Sequence, residues 1–180
     1  DYANINNVKI NQSQSGNNSQ SDGLNGKFDL NYYKRFMKKG RSLYLSANGN
    51  GNKKAGTTDF ESSNQFFQSN SNLQYNQLKN DSSSNINAAA RVSYTEPLLE
   101  DKVFLTINGG TNSIKNESQL STYDRDPLNF TDTFNGRFSS NGTNTTNTNI
   151  VGATLRYSGK VIRFNVGGDM NFSKYKNINN

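Results

Sequence analysis

Residues 150–172 read IVGATLRYSGKVIRFNVGGDMNF, and the two-residue period of that stretch decides the fold. Val151, Ala153, Leu155 and Tyr157 alternate with Gly152, Thr154 and Arg156. Ser158-Gly159-Lys160 then makes a turn, after which Ile162, Phe164, Val166, Gly168, Met170 and Phe172 alternate with Arg163, Asn165, Gly167, Asp169 and Asn171. Successive side chains of a strand point to opposite faces, so this is a β-hairpin with one apolar and one polar face.

The same design recurs upstream. Phe28, Leu30, Tyr32 and Phe36 share one parity, and after Met37-Lys38-Lys39-Gly40-Arg41 the chain returns with Leu43, Leu45 and Ala47 on the apolar parity. Ile86, Ala88, Ala90, Val92 and Tyr94 alternate with polar neighbours and are followed by a turn over 96–102, where Pro97 is expected to end the strand because it cannot donate to a ladder. Val103, Leu105, Ile107 and Gly109 return. The expected fold is therefore all-β, an antiparallel up-and-down meander with hairpins over about 27–48, 86–109 and 150–172. Short turns recur roughly every 60 residues, near 39, 99 and 159, as one strand pair plus one long connection would give. A further weak strand is expected around Val8 and Ile10, with 13–26 as its loop.

The connections over about 49–85 and 110–149 are far longer than those of a compact domain and are rich in Asn and Ser, so they are expected to be long loops, with 66–78 able to extend the flanking strands. Alternately short and long connections are the asymmetry of an outer-membrane barrel, with short periplasmic turns and long extracellular loops. The mean hydropathy of −0.91 does not oppose this. A transmembrane barrel needs apolar residues on only one face of each strand. No stretch approaches the ~20 consecutive apolar residues of a spanning helix. Asp1 opens the chain with neither a charged nor an apolar leader, so any signal peptide is expected to have been removed or to lie outside this sequence.

Spacing suggests which face meets lipid. Phe36, Tyr94 and Tyr157 stand beside turns on the apolar parity, and Phe28 and Phe172 lie about ten residues away, close to the ~9–11 residues of a tilted membrane strand. These five are expected to form aromatic girdles. Asp29, Arg35, Arg91, Arg156, Arg163 and Asp169 fall on the other parity and are expected to face the barrel interior. Gly and Ala at apolar positions, such as Ala47, Ala88, Ala90, Gly109, Ala153 and Gly168, suit fluid lipid better than a rigid core, which would leave cavities beside them. Phe104 breaks the pattern on the polar parity, and implies either packing inside the barrel or a bulge. The competing reading is a soluble surface β-sandwich for adhesion or glycan binding, in which the apolar face meets a second sheet.

Other chemistry is poorly supplied. The chain has no Cys and no His, which removes thiolate metal sites, the usual zinc ligands and the usual general base, so no enzyme, metal site or cofactor is expected. The +6 charge and pI of about 9.5 would suit nucleic acid. The basic residues form no stripe, however; Lys38, Lys39 and Arg41 share a turn, so no nucleic-acid partner is expected. The acidic pairs Glu100/Asp101 and Asp124/Asp126 lack calcium-loop spacing. Phe60, Phe66, Phe67, Tyr75, Tyr123 and Phe130 are the aromatics of the long connections and are the candidates for stacking on a ligand.

The run from Val92 to Leu98, a strand entering a Tyr-Thr-Glu-Pro-Leu turn, resembles the barrel region of TonB-dependent receptors and the related outer-membrane β-barrel family common in Bacteroidota. Leu155 to Val161 and the Asn-rich connections are similar to that family in style. The resemblance implies a barrel of about 22 strands around a plug, and energised import of a scarce nutrient such as a metal chelate, vitamin, glycan or peptide. It also implies as partners the outer-membrane lipid, the rest of the barrel and its plug, an energy-coupling periplasmic protein, and a surface lipoprotein. Six or seven strands cannot close such a barrel, so the chain is expected to be a portion of a larger protein in the cell outer membrane.

Overall fold

The computed structural model describes residues 2–3, 9–99, 102–126, 128–129 and 131–179. It is all-β: β1 (Tyr2–Ala3), β2 (Lys9–Arg35), β3 (Ser42–Phe66), β4 (Ser71–Leu99), β5 (Val103–Arg125), β6 (Asp132–Phe134), β7 (Ser140–Ser158) and β8 (Arg163–Asn179). Every pairing is antiparallel, in the order β1-β2-β3-β4-β5-β7-β8, with β6 added on β5. The meander inferred from the sequence is present. Among the described residues the sheet is open, because β8 pairs only with β7 and β2 carries only the two residues of β1 on its outer edge.

The long connections inferred over 49–85 and 110–149 are mostly strand. β3 runs on to Phe66 and β4 begins at Ser71, so the connection between them is only 67–70, closed by Asn70 in the left-handed region (φ 47°). The other connection shrinks to 126–139 and contains β6. Residues 13–26, read as a loop, likewise lie within β2, while Val8 falls outside the described residues. Hydropathy alternation cannot mark such strands, since both their faces are polar. Backbone ladders hold them together with side-chain pairs between neighbours: Ser19 with Thr58 at 2.9 Å, Thr57 with Asn80 at 3.2 Å, and Ser63 with Asn72 at 3.0 Å. At about 3.3 Å per residue, a 29-residue β4 spans about 95 Å, several times what a bilayer requires.

The three short turns all lie at one end. In the first, Arg41 N–H donates to the Lys38 carbonyl at 3.0 Å, and Gly40 adopts φ 85°, a conformation that costs an L side chain strain. In the second, β4 continues through Pro97 to Leu99, with a register irregularity between them; Pro97 therefore marks a bulge rather than the strand's end. In the third, Gly159 N–H donates to the Ile162 carbonyl at 2.9 Å.

Among the described residues no aliphatic or aromatic side chain is buried, the ring of Pro97 being the apolar group that is, and the large exposed ones run from Leu24 to Ile178. Burial of apolar surface is the dominant favourable term in folding, so a single sheet of this kind depends on whatever covers its apolar face.

Candidate functional site: an apolar band and a polar face

The register decides what the separate hairpins make together. Tyr32 is opposite Leu45, Leu45 opposite Val92, Val92 opposite Gly109, Gly109 opposite Val151, and Val151 opposite Met170. Directly opposed residues share a face, so the apolar parities of all six long strands fall on the same side of the sheet. Unbroken pairing from Gln77–Asp124 to Pro97–Phe104 keeps β4 and β5 in phase. The result is a continuous band bounded on β2 by Phe28 and Phe36, on β4 by Ile86 and Tyr94, and on β8 by Phe164 and Phe172. Nine residues tilted by about 40° rise about 20–25 Å, near the ~25 Å apolar belt of an outer-membrane barrel. The lower edge slants because each successive short turn lies further along the sheet, the stagger of tilted strands.

The five girdle residues all lie on this face. Phe36 and Tyr94 pack edge-to-face with centroids 6.4 Å apart, and Tyr157 stacks on Phe164 at 5.3 Å, forming a rim beside the short turns. Phe28 and Phe172 are half exposed at the opposite rim, 52% and 55%. Within the band this face is the more open one. Along β7, Asn149, Val151, Ala153 and Leu155 are exposed, whereas Thr148, Ile150 and Thr154 are half-buried and Gly152 is buried. On β4, Ala88 and Ala90 are exposed while Asn87 and Ala89 are half-buried.

The six charges Asp29, Arg35, Arg91, Arg156, Arg163 and Asp169 lie on the opposite face, together with Tyr33, Tyr44 and much of the Asn. Two of them meet at one place. Arg91 and Asp169 line a hollow of about 460 Å³ with Tyr44, Ser93, Asn108 and Asn171. Glycine makes that room: the Asp169 carboxylate lies over Gly152, where a Cβ would overlap it. The others are dispersed. Arg35 lies over the Tyr33 ring at 5.7 Å, and Arg156 over Phe104 at 4.4 Å. Phe104 lies opposite Pro97, at the register irregularity of β4, and on the polar face it also fills the space between the Arg156 guanidinium and Gly40, where a Cβ would overlap its ring. Just beyond the band the polar face carries Asn25, Asn52, Asn85, Asn116, Asn144 and Asn177 in one row across six strands, with the Asn85 amide donating to Asn116. These are neutral hydrogen-bonding groups and offer no charge to a ligand.

The candidate ligand aromatics do not converge. Phe60 and Tyr75 lie on the polar face of the strand extensions, the former under the Lys79 ammonium at 4.5 Å. Tyr123 is on the other face, edge-to-face with Phe134 at 5.7 Å. Phe66 ends β3, Phe67 is 40% exposed in the turn, and Phe130 lies outside the described residues. Those placed on β3, β4 and β5 are strand residues rather than loop residues. Among the described residues no group of three or more His, Cys, Asp or Glu is placed to hold a metal. Glu100 and Asp101 lie outside the described residues, and Asp124 and Asp126 have structural partners. Asp124 accepts from Gln77 at 2.9 Å, and Asp126 accepts from the Leu128 N–H at 2.8 Å, which with Asn129 holds its carboxyl below the usual range.

Sequence reasoning missed two tethers, because their partners are far apart along the chain. Glu96, beyond the aromatic rim on the turn side, accepts from Arg41 Nε and Nη2, both at 2.8 Å, and from Lys38 Nζ and Tyr94 Oη, both at 2.7 Å. Arg41 first and then Lys38 and Tyr94 hold its carboxyl down at about 2. This clamps the first short turn onto the second. At the far end Arg125 bridges Asp59 at 2.8 Å and Asp132 at 2.9 Å, while the fully buried Thr122 donates through its hydroxyl to the Phe138 carbonyl at 2.8 Å and through its N–H to Ser139 Oγ at 2.9 Å. The connection over 126–139 is thus fastened to the strands. Comparison with known proteins finds no matching family model and no matching curated relative.

Proposed function

We propose that this chain is part of the wall of a β-barrel in a bacterial outer membrane, with its apolar band against lipid and its polar face toward the interior. One observation carries the reading: six strands contribute their apolar parity to one exposed face, in a band close in height to the ~25 Å apolar belt of an outer-membrane barrel, with no aliphatic or aromatic side chain buried among the described residues. The aromatics at both rims and the small Ala and Gly residues between them support the same placement. The open edges at β2 and β8 would pair with further strands of the barrel. The strand extensions beyond Phe28 would stand outside the cell and the short turns in the periplasm.

The resemblance of the stretch from Val92 to Leu98 to TonB-dependent receptors supports a transport role, namely energised nutrient import through a barrel closed by a plug. On this reading the hollow between Arg91 and Asp169 lines the interior, and coupling to the energy-supplying periplasmic protein belongs to another region of the transporter.

These 180 residues contain no Cys to be replaced before labelling. Single cysteines at Val92 and Ser93 in the intact protein, each carrying a nitroxide, are compared for collision with oxygen in the bilayer and with a water-soluble nickel chelate. Lipid exposure at 92 and water or protein contact at 93, repeated at Leu45 and Tyr44, are the expected results. A band inaccessible to lipid, in a protein that is monomeric without detergent and covers this face with a second sheet, would establish the sandwich reading instead.

A further inference from the structure

On β8 the side chains that share a face with Phe172 continue as Lys174 and Lys176, whereas those of the opposite face are the neutral Ser173, Tyr175 and Asn177. Lys174 is opposite Asn147, itself opposite Ser113, and Lys176 is opposite Thr145, itself opposite Lys115. Three lysines and three neutral hydrogen-bonding side chains therefore occupy two adjacent rows on the face that carries the apolar band; on β8 these rows lie beyond Phe172, and because the band slants across the sheet the same rows reach its outer rim at Ile86 on β4 and Phe28 on β2. Lys115 and Lys176 are two strands apart, about 10 Å, and Lys174 is about 7 Å from Lys176 along the strand. All three are exposed. The acid Glu117 is paired with Lys115 at 2.6 Å, which leaves Lys174 and Lys176 with no ion pair among the described residues.

We propose that this patch binds the phosphate groups of a phosphorylated glycolipid in the outer leaflet. The inference rests on the band facing lipid. Acyl chains would then lie along Val151, Met170 and Phe172, and the headgroup would begin where Lys174 stands, about 5 Å further along the membrane normal. Lysine ammonium groups on long flexible stems suit phosphate as point charges, and the Ser113 and Thr145 hydroxyls and the Asn147 amide add donors for its remaining oxygens. On a surface meeting only water, nothing would confine the lysines of β8 to the parity of Phe172. The outer leaflet is the assigned source because the patch lies at the end away from the three short turns.

The test uses intact detergent-solubilised protein and measures retention of three probes: diphosphorylated lipid A, the same lipid stripped of phosphate, and phosphatidylglycerol. The double variant Lys174→Gln/Lys176→Gln is expected to retain diphosphorylated lipid A about tenfold less well, the Lys174→Arg/Lys176→Arg variant to restore retention, and the dephosphorylated lipid to bind neither wild type nor variants. Equal retention by wild type and the Gln variant overturns the proposal. So does phosphatidylglycerol held as tightly as lipid A, which would reduce the patch to a general anionic-lipid surface. The nitroxide comparison at Val92 and Ser93 separates the two levels: lipid exposure at 92 with unchanged lipid A retention refutes the headgroup site alone, whereas no lipid exposure at 92 refutes the membrane reading beneath it.

Discussion

Ala89 and Ala90 are identical neighbours on opposite faces of β4, which makes them a sharp probe of what each face meets. Ala90 lies four residues from Ile86 at one rim and four from Tyr94 at the other. Four residues of a strand tilted by about 40° rise about 10 Å, so Ala90 stands near the middle of a ~25 Å apolar belt. Its side chain is exposed, so Ala90→Arg removes no packing and adds only the cost of a guanidinium at that depth. At the bilayer midplane this cost is about 2–4 kcal/mol, which lowers the folding equilibrium constant about 30- to 700-fold. Ala89→Arg puts the same group among Asn48 and Asn112 on the polar face, and is expected to cost less than about 1 kcal/mol. Ile86→Arg, at the rim, should fall between 0 and about 1 kcal/mol. The assay is denaturant-dependent folding of the intact protein into phospholipid vesicles, with the amount assembled in the membrane of expressing cells as a second readout. Equal costs at 89 and 90, or a charge tolerated at 90 and rejected at 89, would refute the assignment of faces.

Gly40→Ala must force an L residue to φ 85° and bring its Cβ within 2.6 Å of the Phe104 ring, so a loss of at least about 1–2 kcal/mol is expected in the same folding assay. Folding lowers the Glu96 carboxyl from its ordinary 4.5 to about 2, so its carboxylate stabilises the folded state above about pH 4.5, and that contribution is lost as pH falls from 4.5 to about 2. Glu96→Gln should therefore melt below wild type at neutral pH, and the gap should close across that window; a gap independent of pH would remove the ionic clamp from the account. Thr122→Val deletes the hydroxyl's bond to the Phe138 carbonyl and leaves that carbonyl without it, at a cost of about 1 kcal/mol, and should speed proteolysis within 126–139 while leaving the short turns protected.

Much of this was legible in the sequence because alternation is a local signal. Between Phe28 and Phe36, or Val151 and Tyr157, one apolar and one polar face are written into adjacent residues, and the turns near 39, 99 and 159 interrupt them where the structure also turns. The strand extensions were not legible. In 50–66 or 111–125 both faces are polar, so neither face stands out, and a chain of Asn, Ser, Thr and Gly reads as loop until a neighbour supplies the other half of the ladder. What Phe104 packs against was not legible for a related reason: Gly40 and Arg156 are more than fifty residues away in each direction, although the register irregularity it signalled is present opposite it, at Pro97.

By itself, then, the sequence determined that the chain would form antiparallel hairpins, which residues of each would share a face, and that neither Cys nor His is among its residues. Only the tertiary structure decided that all six apolar parities fall on one side, that Arg91 and Asp169 line one hollow, that Glu96 ties two turns together and that three lysines gather beyond Phe172. The physical reason is that side-chain direction within a strand is set by its own backbone, residue by residue, whereas phase between strands is set by register, and a slip of one residue in any pairing would have sent that strand's apolar side chains to the other face.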